Sequence, residues 1–111
     1  MDNRAKKLLF DVLDSGRSIL GWCQGRTFAD YEADRQFRRA VAREFEVIGE
    51  ALGRLAVADR EVAARIAHLP RIVGFRNRII HGYDAIDDAT VWGVISSHLP
   101  ALVAEVEALL D

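Results

Sequence analysis

The eight residues Arg76-Asn77-Arg78-Ile79-Ile80-His81-Gly82-Tyr83 bring together side chains able to hold a phosphate, move a proton and carry a modification. Arginine supplies a permanent planar cation suited to phosphate oxygens. Histidine, with an ordinary pKa of about 6.5, gives and takes protons near neutrality. Tyr83 adds a hydroxyl two residues beyond His81, and Gly82 between them offers a natural helix stop. Asn77 and His81 are four apart, so they share a helix face where the amide could fix the ring's tautomer. Arg76 and His81 are five apart, about 140° around an ideal helix, so one straight helix does not join them. The reach of arginine, a frayed last turn or a second copy of the helix would have to close that gap. The last option makes the site a property of a dimer. A plainer reading of His81 is a cap, its imidazolium favoured at the negative end of the helix dipole.

The elements that must position these residues read as helices throughout. A first segment from about Arg4 to Trp22 carries Leu8, Leu9, Val12, Leu13, Ile19 and Leu20 at helical spacings, with Gly16 weakening its middle. Thr27 is placed to cap a short turn, with Asp30 completing a capping box. From about Tyr31 to Ala56, Phe37, Val41, Phe45, Ile48, Leu52 and Leu55 alternate at fours and threes, the apolar seam of a bundle helix. Arg35, Arg38, Arg39 and Arg43 lie on another face of it, either a solvated face neutralised by Glu44, Glu46 and Glu50 or a phosphate-tracking stripe. Asp59 caps a short third helix, with His68 as its cap or a surface residue. Pro70 suits the first turn of a fourth helix, through Ile72, Val73, Phe75, Ile79 and Ile80, in which Gly74 is expected to let a neighbouring helix approach closely. Asp87 or Asp88 caps the last helix, Pro100 kinks or breaks it, and His98 is structural. Nothing alternates with period two. The expected fold is all-α: an antiparallel bundle of four to five helices forming one domain over residues 1–111.

The formal net charge of −2 gives the whole molecule no bulk attraction to nucleic acid, although local clustering could still build a basic site. The lone Cys23 excludes an intramolecular disulfide and a thiolate metal cluster. No apolar run reaches membrane-spanning length and the N-terminus lacks a signal-peptide core, so the cytoplasm is the default expectation. A glycine-rich phosphate loop, a His-Glu-x-x-His pair and a CxxC are all absent, and the three histidines, at 68, 81 and 98, are not at metal-ligand spacings. Catalysis here would run on arginine, histidine and hydroxyl groups, with no tightly bound metal and no cofactor.

Arg76-Asn77-x-x-x-His81-x-Tyr83 resembles the R-x4-H-x-Y motif of the HepT-like branch of the HEPN ribonuclease superfamily. The resemblance covers nearly the whole chain. It extends through Ile48-Gly49-Glu50-Ala51, the run from Ile72 to His81, Val91-Trp92 and Leu99-Pro100. It departs at His68-Leu69-Pro70-Arg71, where Pro-Trp-Arg is common among relatives. The resemblance implies a HEPN-like homodimer whose paired motif helices line one cleft. It implies a metal-independent endoribonuclease, the toxin of a type VII-like toxin–antitoxin pair, with Arg76 and His81 catalytic and Asn77 supporting. Its partner would be a minimal nucleotidyltransferase (MNT-type) antitoxin that silences it by AMP transfer to Tyr83. Two other readings remain: a non-catalytic HEPN nucleotide-binding or scaffolding partner of such an enzyme, and a structural helical subunit in which His81 is only a cap.

Overall fold

The computed structural model describes residues 1–80, the backbone of His81, and residues 87–111. Among them seven helices follow in order: α1 (Asn3–Cys23), α2 (Phe28–Ala33), α3 (Arg35–Ala58), α4 (Arg60–Ala63), α5 (Leu69–His81), α6 (Asp88–Ser97) and α7 (Leu99–Leu110). Short acidic or hydroxyl side chains begin most of them by accepting an otherwise unpaired backbone N–H. Asp2 accepts from Ala5, Asp34 from Phe37, Asp59 from Val62 and Asp87 from Thr90. Each such cap is typically worth about 1 kcal/mol. Thr27 and Asp30 form the reciprocal capping box expected of them.

The all-α bundle stands, but its expected helices are subdivided. The long second helix is two, because Asp34 is extended (φ −112°, ψ 99°) and its carboxylate caps α3. The break before Pro100 separates α6 from α7 at His98, with a bend of 42° between them. These two breaks turn the upper expectation of five helices, the short α4 among them, into the seven described ones.

α1 packs against α3 and α7, α3 also carries α5, and α6 joins α7 to α2. The predicted seam on α3 is buried at every position from Phe37 to Leu55, in one core cluster with Leu9, Ile19, Leu99 and Val106. Gly16 explains itself here: a Cβ on it would lie 2.7 Å from Cγ2 of Val103, so α1 and α7 approach through the missing side chain. The close approach expected at Gly74 is not found within the chain, since no described atom lies within 4 Å of where its Cβ would be. Among the described residues no single helix is long and apolar enough to cross a membrane.

α2 is fastened by rings. Tyr31, 2% exposed, meets Phe37 edge-on at 5.4 Å and Trp92 of α6 at 5.4 Å, while the Arg26 guanidinium sits 4.5 Å from the Phe37 centroid. Burial, aided by the nearby Asp88 carboxylate, pushes the Tyr31 phenol up to about 12. The fold therefore favours the neutral phenol. That stabilisation is fully present below the unfolded pKa of about 10 and lost as pH rises through about 12, a change on the order of 2–3 kcal/mol. Urea titrations from pH 9 to 12 should show Tyr31→Phe losing less stability than wild type over that window. Equal losses would assign the alkaline limb to other groups.

Candidate active site

α5 starts at an unusual corner. His68 is in the left-handed region (φ 62°), and its carbonyl accepts from the N–H groups of Arg71 (2.9 Å) and Ile72 (3.1 Å). Pro70 occupies the first turn as expected, where its missing N–H costs nothing. The helix then leans on α3, with Phe75 edge-on to Phe45 at 5.1 Å.

The crossing point is Gly49. A Cβ there would lie 2.2 Å from Cβ of Arg76 and 2.4 Å from its Cγ, so the arginine stem lies directly over the glycine. Arg76 Nε is buried with no hydrogen-bond partner among the described residues, and Nη1 donates to Oδ1 of Asn77 at 2.9 Å. No described carboxylate forms an ion pair with Arg76. The arginine is thus held along its stem by Gly49 and at its tip by a neutral amide, with no described carboxylate against its charge. Because Arg76 occupies Asn77 Oδ1, the tie that the structure shows for this amide is to the cation.

Two of the four residues singled out in the sequence, Arg76 and Asn77, are therefore brought together. His81 ends α5 by its backbone, and Tyr83 lies outside the described residues. What sequence reasoning missed is the role of Gly49. Its signal was a glycine inside an otherwise strong helical pattern, in a segment noted only for resemblance. The arginine stripe on α3 is partly neutralised. Arg38 donates to the Glu32 carbonyl and lies 3.9 Å from Asp88, and Arg43 lies 3.2 Å from Glu46. Arg35 and Arg39 are exposed without an ion pair among the described residues.

α5 also carries apolar residues that its own chain does not finish covering. Beyond Leu69, Ile72, Val73, Phe75, Ile79 and Ile80 are all only half-buried. A helix apolar over more than one face normally has more than one packing surface.

An all-α bundle that crosses two helices at a glycine, with an arginine seated there that no described carboxylate pairs, is a small helical domain with a cation at its helix crossing. Comparison with known proteins gives that class its family. The model of the family described as ribonuclease HepT-like matches residues 12–109. A Methanocaldococcus jannaschii protein named "putative RNase" is 30% identical over 104 residues, covering 92% of this chain and 93% of its own. Another of that name, from Caldanaerobacter subterraneus, is 31% identical over 100 residues, 90% of this chain and 88% of its own. A Thermococcus cleftensis protein named "probable ribonuclease HepT" is 25% identical and covers 98% of both chains. No solved structure matches at a significant level. The chain belongs to the HepT-like ribonuclease family.

Proposed function

We propose that this protein is a metal-independent endoribonuclease acting as a homodimer in the cytoplasm, the toxin of a pair whose antitoxin is a minimal nucleotidyltransferase. The observation that carries the reading is Arg76, its stem seated on Gly49, its guanidinium steadied by Asn77 and without an ion pair among the described residues. The RNA 2′-hydroxyl would attack the adjacent phosphorus, with His81 as general base or acid and Arg76 balancing charge on the phosphoryl oxygens. The products would be a 2′,3′-cyclic phosphate and a 5′-hydroxyl. Pairing of two α5 helices would cover Val73, Ile79 and Ile80, which their own chain leaves half-buried. It also answers the five-residue separation of Arg76 and His81, since each copy can complete the other's site.

The test is incubation of folded, unmodified protein with mixed cellular RNA in excess EDTA. Cleavage that leaves cyclic phosphate ends supports the reading. Absence of cleavage would move the function to nucleotide binding or scaffolding. Silencing has its own test. AMP on Tyr83 adds about one negative charge and a bulky group, competing with RNA for Arg76. With the nucleotidyltransferase and ATP, wild type should gain AMP by intact mass and lose cleavage. Tyr83→Phe should stay active and unmodified; its modification at another residue would refute the assignment.

A further inference from the structure

α5 also borders a cavity of about 470 Å³, between it and the bend joining α6 to α7. Its size falls in the range of small-ligand sites. Phe45, Phe75, Val94 and Leu102 give it an apolar floor, while His68, Arg71, Arg78 and His98 stand around it. The single carboxylate among its lining residues, Glu105, accepts a hydrogen bond from the Ala67 N–H at 2.9 Å, and Arg78 faces the Asp87 carboxylate, whose charged form it favours. The lining is thus apolar below and cationic at its edge, the combination that suits a stacked base with a phosphate beside it.

Helix register connects this cavity to the motif. Arg71, Gly74, Arg78 and His81 fall within about 80° of arc along α5, and Arg71 to His81 spans about 15 Å of its axis. One edge of the cavity-lining side of the helix therefore runs on to the backbone position of the motif histidine.

We propose that this groove is a subsite for one single-stranded nucleotide of the RNA, its base over Phe75 and its phosphate at Arg71. The proposal deepens the ribonuclease reading and rests on it. It gives the enzyme a grip on unpaired RNA away from the bond that breaks. Charge complementarity selects RNA as the occupant: Arg71 stands at the edge of the groove, and the one lining carboxylate, Glu105, is already taken by the Ala67 N–H. A duplex would not fit, since its bases cannot leave the stack to reach the floor.

The probe is a fluorescein-labelled seven-nucleotide RNA, 2′-O-methylated so that no nucleophile remains for cleavage, followed by anisotropy across a salt series. Arg71→Glu should weaken binding at least tenfold and reduce the slope of log K against log salt by about 0.7, one phosphate contact on a single strand. Ala101→Trp, filling the groove from an exposed position that lines it, should also weaken binding about tenfold but leave the slope unchanged. Circular dichroism and sedimentation should match wild type for both. Failure of wild type to bind the probe, or wild-type affinity in either variant, overturns the subsite. So does a changed oligomeric state in Ala101→Trp, which would make a second copy the occupant. A protein that binds the probe through the groove yet cuts no RNA would refute the nuclease reading and leave the subsite standing.

Discussion

Alanine at His81 is expected to lower RNA cleavage by about 10²- to 10⁴-fold while the helical spectrum and oligomeric state stay at wild type. The size follows from the job. A positioned acid or base that removes the 2′-hydroxyl proton, or protonates the leaving 5′-oxygen, typically supplies that range. Arg76→Lys should cost about 10²- to 10³-fold, the usual effect of removing one donor aimed at developing charge. Lysine keeps the stem over Gly49 and the unit charge, but loses the planar fork that can meet two phosphoryl oxygens. The two variants should differ in pH dependence. Arg76→Lys retains the limb of the pH–rate profile that reports a histidine, and His81→Ala removes it. If His81→Ala instead lowered stability by about 1 kcal/mol with no separate loss of cleavage, the residue would be a cap. Mixing the two inactive variants tests the dimer. If the copies share sites, some mixed dimers regain one intact site, and partial recovery of cleavage should appear. No recovery would confine each site to one copy.

Much of the fold was legible because its signals are local. The four-and-three seam from Phe37 to Leu55 needs only helix geometry to be read, and each of its residues is buried. The caps at Thr27, Asp59 and Asp87 are equally local, since a side chain and a backbone N–H three residues away decide them. The break at Asp34 was missed because Tyr31 and Phe37 both continue an apolar pattern. What ends α2 is the stronger pull of an N-cap carboxylate on Phe37 N–H. The glycines were legible as glycines but not as contacts. Gly74 and Gly49 look alike in sequence, and only the three-dimensional crossing shows which one sits under a neighbour. The same limit held at the site. Residue types announced Arg76 and Asn77, but the amide's hold on the guanidinium, and the seat beneath the arginine, depend on how α3 and α5 meet.

That seat yields the second large effect. Gly49→Ala sets two opposed terms against each other. Alanine in a helix interior gains about 1 kcal/mol over glycine. Here its Cβ would lie 2.2 Å from Cβ of Arg76, an atom fixed to the α5 backbone that no rotamer change can move. α5 itself must retreat from α3, and overpacking of this kind usually costs about 1–3 kcal/mol. The net expectation is a loss of up to about 2 kcal/mol, growing with Gly49→Leu. Gly53 on the same helix is the internal control, because no atom lies within 4 Å of its would-be Cβ. Gly53→Ala should gain about 0.4–1 kcal/mol. Urea midpoints of the two alanine variants should therefore move in opposite directions. Cleavage should separate them further. Moving α5 carries the Arg76 guanidinium with it, and a displacement of about 1 Å can cost on the order of 10²-fold in rate. Gly53→Ala should leave the rate alone. Equal stabilisation by both alanines, with full cleavage, would mean that α3 and α5 do not meet closely at Gly49, and Arg76 would have to be positioned by Asn77 and its surroundings alone.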